Sequence, residues 1–101
     1  MTTRMAPLDR KQLIMDAAIQ LARRQGYQNV KRADIADIAG VSNALVSKYF
    51  ATMPQLKRAI MRHAVTIEDH VVVMQGLACG DPQARKASQE CKARAADMLV
   101  K

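Results

Sequence analysis

Apolar residues recur at helical spacing along most of the chain. From about Asp9 to Arg24, the residues Ile14, Ala17, Ala18, Leu21 and Ala22 fall on one face, with charged and amide side chains opposite. Asp9 is placed to cap this first helix and Gly26 to stop it. The stretch before it, MTTRMAPL, lacks periodicity and contains Pro7, so residues 1–8 read as a flexible basic arm. Tyr27 to Val30 lead into a short helix at about Arg32–Ala39, and Gly40–Val41–Ser42 turns the chain into a third, about Asn43–Phe50. A fourth helix starts at Thr52, which forms a capping box with Gln55 and has Pro54 in its first turn, where proline is tolerated. Its stripe of Leu56, Ile60, His63, Ala64, Ile67, Val71, Met74 and Ala78 continues for about seven turns, and Gly76 and Gly80 bracket its end. Asp81 and Pro82 then read as N-cap and first residue of a fifth helix with the stripe Ala84, Ala87, Cys91, Ala95 and Met98. No strand pattern or repeat interrupts the series. The pattern predicts an all-α fold of about five helices, with a long fourth helix.

The densest set of constraints lies in RADIADIAGVSNALVSKYFA, Arg32 to Ala51. A helix-turn-helix needs a small residue where its helices cross, and Ala36 supplies one. Its turn needs a residue that tolerates a left-handed backbone, which Gly40 does. Its second helix needs an N-cap, and Ser42 follows the turn. Ile35, Ala39, Val41, Val46 and Tyr49 fall where the angle between the helices must be filled. No one of these residues is diagnostic; together they point to DNA.

Charge strengthens that reading. The whole net charge of +7 lies in residues 1–63, while residues 64–101 balance five cations with five acids. A polyanionic partner accounts for this asymmetry, because each phosphate neutralised releases counterions. Composition excludes other classes. The two cysteines, Cys79 and Cys91, lack CxxC spacing, and His63 and His70 do not pair closely with them, so no metal, cofactor or disulfide framework is expected. No Gly-rich phosphate loop or Ser/His/Asp grouping suggests an enzyme. No apolar run approaches the ~20 residues of a membrane span, and no signal-peptide pattern opens the chain, so a soluble cytoplasmic protein without a membrane partner is expected.

At 100° per residue, Ala44 and Lys48 point directly away from the core of the third helix, with Leu45 and Ser47 on the flanks. These four are expected to meet base edges in the major groove of double-stranded DNA: Lys48 as a donor to guanine, Ser47 to several bases, Ala44 and Leu45 against thymine methyls. Asn43 lies at the rim and Ser42 caps the helix. Lys31, Arg32 and the arm with Arg4 are candidates for phosphates, which position the protein without specifying sequence. Val71–Val72–Val73–Met74 is apolar on every side, more than one small subunit can cover. A second subunit is the natural cover, which predicts a homodimer joined through Ile67, Val71, Met74, Ala84, Ala87, Cys91 and Met98.

Helix-turn-helix repressors of several families share the core pattern; the flanks separate them. Here Ile14-x-x-Ala17-Ala18-x-x-Leu21 precedes, then Gly26-Tyr27, the motif, Tyr49-Phe50, and a capped helix containing Leu56. That order resembles the N-terminal DNA-binding domain of the TetR family over about residues 10–65. A phosphate contact by the Tyr49 hydroxyl is implied by this resemblance. Departures are Lys31 and Arg32 where a capping Ser or Thr and an apolar residue are usual, Ser47 for an aromatic, Met53 for a lysine and Ala22 for a core Phe. The division expected is an arm (1–8), a DNA-binding domain (9–65) and a helical dimerisation segment (66–101). A symmetric dimer implies a near-palindromic operator, and for so compact a protein without a sensor the expectation is a transcriptional repressor, of its own operon or of phage or plasmid genes. With one helix after the fourth, no enclosed pocket of ~300–1,000 Å³ is expected, and therefore no small-molecule ligand. Two rival classes remain: a DNA-packaging or partition adaptor of the small-terminase kind, which would form larger rings, and a protein-interaction module docking through Ile38 and Leu45.

Overall fold

Most residues of the apolar stripes read from the sequence are buried, with Ile67, Ala78 and Met98 left exposed, and the helices are cut differently. The computed structural model describes residues 7–99. Among them six α-helices follow one another: α1 Pro7–Gln25, α2 Arg32–Ala39, α3 Asn43–Tyr49, α4 Met53–Thr66, α5 His70–Cys79 and α6 Gln89–Leu99. Short 3-10 turns cover Tyr27–Asn29 and Ala84–Lys86. Residues 1–6 of the expected arm, 1–8, lie outside the described residues. Its last two residues, Pro7 and Leu8, belong to α1, so Asp9 stands inside that helix and does not cap it.

Helix α1 is the centre of the fold. Ile14, Ala17, Ala18, Leu21 and Ala22 are buried as expected, and Met15 and Ile19 are buried as well, because α2, α4 and α5 all pack against α1. One apolar cluster runs from Ile14 through Ile35, Val46 and Leu56 to Val73, Cys91 and Ala95, joining the motif to the C-terminal helices. A polar seam reinforces the joint. Gln75 of α5 accepts from the Tyr27 backbone N–H at 2.9 Å and donates to the Ala22 carbonyl at 2.9 Å. The enclosed Tyr27 hydroxyl donates to Asp81 Oδ2 at 2.8 Å, beside Cys79 Sγ at 2.9 Å. Burial, then the hydrogen bonds to Cys79 and Asp81, push this phenol far above its ordinary pKa, so it stays a neutral donor.

The expected long fourth helix is two helices. The backbone turns at Glu68, whose φ is 54°, and α5 buries Val72, Val73 and Gly76, while the expected Val71 and Met74 are half-buried and Ile67 and Ala78 exposed. The Glu68 N–H donates to the Val65 carbonyl at 3.3 Å and the Asp69 N–H to the Ala64 carbonyl at 2.8 Å, the paired bonds of a Schellman motif. Asp69 then starts α5 by accepting from the Val72 N–H at 3.3 Å, and it pairs with Arg23 at 3.7 Å. A left-handed residue at this position is ordinarily glycine; a side chain there carries a cost of about 1–2 kcal/mol. Glu68 is exposed, with no core contact to lose. Glu68→Gly is therefore expected to raise stability by ~0.5–1 kcal/mol in urea unfolding; a loss of stability would contradict a strained Schellman turn.

The fifth helix is also displaced. Asp81 does not cap it: its carboxylate accepts from the Gln83 N–H at 2.8 Å and closes only a turn. Helix α6 begins at Gln89, after Ser88, whose hydroxyl accepts from the Cys91 N–H at 3.1 Å. The helix folds back along α5, which buries Ala84, Ala87, Cys91 and Ala95 within the subunit. This corrects the dimer surface expected from the sequence. Ala84, Ala87 and Cys91 have no exposed face left for a partner, since small side chains let α6 lie close against α5. Burial raises the Cys91 thiol pKa above its ordinary value, consistent with an apolar packing role. Met74 is half-buried against the same core, while Ile67 at 50% and Met98 at 40% remain exposed.

Candidate nucleic-acid interface

The turn, the N-cap and the packing residues of α2 and α3 stand as read from the sequence. Gly40 adopts φ 70° and ψ 33°, the left-handed conformation that ends α2, and Val41 N–H returns to the Ala36 carbonyl at 3.0 Å. Ser42 is extended, and its hydroxyl accepts from the Leu45 N–H at 3.1 Å, so the N-cap is made. A helix of seven residues is not stable in isolation; packing must hold it. Val46 supplies that packing: it is fully buried, together with Ile35 of α2 and the nearly buried Ala36 and Phe50. Leu45 and Tyr49 lie half-buried on the same core from either flank, as do Ala39 and Val41 around the turn.

The outward face is then fixed by geometry. Asn43, Ala44 and Lys48 are exposed along one side of α3, with Ser42 at its start and Ser47 half-buried beside them. This is the arrangement of a helix that offers a donor, an amide and a methyl group to a groove while its other side is anchored. Leu45 keeps only part of its side chain for that face. Lys31, the N-cap position of α2, makes no capping bond and its side chain is exposed. Arg10, Lys11, Arg58 and Arg62 are exposed as well.

Arg32 departs from expectation. It is half-buried, and its Nη1 donates to the carbonyl of Ala51 at 2.5 Å, with the Phe50 carbonyl at 3.4 Å. Its charge is thus engaged at the C-terminal end of α3, where carbonyls without helical partners carry partial negative charge. Nothing in the local sequence announces this bond, because its partners lie 18 and 19 residues further on. Asp69 caps α5, and an acid directly before an apolar run is a legible start signal, masked here by the continuous apolar spacing around it.

Among the described residues, no group of three or more His, Cys, Asp or Glu side chains could hold a metal ion. No helix there is long and apolar enough to cross a membrane.

Residues 14–60, from the middle of α1 to the middle of α4, match the family model of the bacterial regulatory proteins, tetR family. The HTH-type transcriptional regulator LuxR of Vibrio harveyi is 43% identical over 63 residues, covering 62% of this chain and 31% of that protein. The HTH-type transcriptional regulator BetI of Brucella anthropi is 48% identical over 59 residues, 58% of this chain and 30% of its own. BetI of Brucella canis is likewise 48% identical over 59 residues, 58% of this chain and 29% of its own. The chain thus corresponds to about a third of the length of these relatives.

Proposed function

We propose that the chain, whose residues 14–60 form a helix-turn-helix domain of the tetR family of bacterial regulators, is a DNA-binding transcriptional regulator and not an enzyme, a repressor that binds a near-palindromic operator as a homodimer. The observation that carries this reading is the exposed row Asn43, Ala44 and Lys48 on a helix whose opposite side is anchored by the fully buried Val46. Lys48 donates to a guanine edge, Ala44 meets a thymine methyl, and Asn43 reads an adenine or holds a phosphate at the rim. Leu45 and Ser47 add flanking contacts. Lys31, Ser42 and the Tyr49 side chain hold the register on the backbone. Binding across a promoter excludes polymerase, in the cytoplasm where the DNA lies. These contacts call for no small-molecule effector, since packing within the domain holds the reading helix.

Exposed apolar surface supports the dimer. Ile67 and Met98, exposed large apolar side chains among the described residues of the C-terminal half, line one shallow depression with Val71. In a symmetric pair the same patch meets its copy, and the two α3 helices reach successive major grooves about one helical turn (~34 Å) apart. The test is footprinting of the purified chain on DNA upstream of its own coding sequence, with mass measurement of the complex. Protection of two inverted half-sites by a dimer is expected; a ring of eight or more copies, or no protected site, would count against it. On the protected site Lys48→Ala is expected to lose ~1–3 kcal/mol and to relax preference at one base pair. Equal losses on that site and on random duplex would remove Lys48 from the reading face.

A further inference from the structure

We propose that Arg32 is a positioning residue that locks the reading helix from within the protein, and that it sets sequence specificity without contacting DNA. The inference rests on the reading of α3 as the recognition helix. Helices α2 and α3 form a V whose apex is the turn Gly40–Val41–Ser42. The apex fixes the end of α2 against the start of α3. The other ends, Arg32 and Tyr49–Phe50, are held by the packing of the nearly buried Phe50 and by any bond that spans them. Arg32 spans them: its side chain leaves the first residue of α2 and its Nη1 reaches the Ala51 carbonyl at 2.5 Å, with Phe50 at 3.4 Å.

Three features make this bond matter. Helix α3 has only seven residues, so its last turn has little cooperativity of its own. The acceptors are the carbonyls just past that helix, which lack intrahelical donors and welcome a cation. The bond also sits at the junction with α4, directly before Thr52, whose capping box with Gln55 fixes the next helix. Arg32 thereby ties α2, the end of α3 and the entry to α4 together. A phosphate contact acts alike on every sequence and contributes to the salt dependence. A clasp that fixes the tilt of α3 acts on the base contacts and contributes no counterion release.

Those opposite signatures provide the test. Arg32→Met keeps an unbranched apolar stem for the half-buried path and removes the donors. In the DNA-free protein, hydrogen exchange at the Phe50 amide, which donates to the Val46 carbonyl at 2.9 Å, is expected to quicken roughly tenfold. Affinity for the footprinted duplex is expected to fall roughly tenfold, the size of one well-made base contact. Affinity for a random duplex of equal length should stay within about threefold, and the slope of log K against log salt should be unchanged. Unchanged exchange at Phe50 overturns the proposal. So do equal losses on both duplexes with a slope reduced by about 1, the signature of a lost phosphate contact. Should the unmodified chain bind neither duplex, the reading as a regulator falls, while exchange in the free protein still decides whether Arg32 holds α3.

Discussion

Ile35→Ala is expected to lower the unfolding free energy by ~2–5 kcal/mol, the range for deleting a fully buried branched side chain and leaving a cavity. Ile35 has no exposed surface and stands in the angle of the V with Val46, also fully buried. It is the largest side chain by which the eight-residue α2 enters the core. Domains of this size are stable by only ~5–15 kcal/mol, so the loss is a large share of the total. DNA binding should fail at temperatures the unmodified chain tolerates, through unfolding and not through a lost contact. The comparison that separates packing from chemistry is Ile35→Val, expected to cost ~0.5–1.5 kcal/mol and to leave the DNA site unchanged. Urea midpoints for the two variants check this; an alanine variant within ~0.5 kcal/mol of the unmodified chain would mean that the angle is not filled as described.

The second large effect concerns Gly76, where the sign of the change is the test. In an exposed helix interior, Gly→Ala gains up to ~1 kcal/mol from propensity. Here an added Cβ would lie 2.6 Å from Ala84 Cβ, 2.6 Å from Met61 Cε and 2.9 Å from Met61 Sδ. Met61 has rotamers but is fully buried, and Ala84, also fully buried, has none, so the segment carrying Ala84 must move away from α5. Overpacking of this kind costs ~1–3 kcal/mol, enough to outweigh the propensity gain. Gly76→Ala is therefore expected to destabilise in urea unfolding, and the added change Ala84→Gly should restore part of the loss. Additive effects of the two substitutions would show that they do not meet. A stabilised Gly76→Ala would contradict the close approach of α5 to the segment before α6.

The sequence discloses most where structure is local. The start of α3, the left-handed Gly40 and the capping box of Thr52 and Gln55 depend on residues within four positions of one another, and all three stand as read. The break between α4 and α5 does not depend on such a signal. Its left-handed residue is Glu68, where a glycine would have marked the stop, and beyond it the buried positions shift to Val72, Val73 and Gly76. The start of α6 was hidden for a similar reason. Asp81–Pro82 has the composition of a helix start but makes a turn, while the plainer Ser88 does the capping.

Periodicity also reports that a face is buried without saying by what. Ala84, Ala87 and Cys91 are as apolar in their surroundings as expected, but α5 of the same subunit covers them. Of the residues expected between subunits, Ile67 and Met98 keep substantial exposed surface, and Val71 is half-buried beside them. Arg32 marks the remaining limit: a cation beside a DNA-binding motif suggests a phosphate, whereas its partner is a carbonyl reached only after the chain has turned twice.

The central claim is that α3 reads DNA sequence, and selection from a pool of random duplexes tests it most directly. The purified chain, cycled through binding and recovery at moderate salt, should enrich an inverted repeat whose half-sites lie one helical turn apart, roughly 10 base pairs. Lys48→Ala should enrich a site relaxed at one symmetric pair of positions. Recovery of no common sequence, or of the same sequence with Lys48→Ala as without it, would contradict the assignment of α3 as the reading helix.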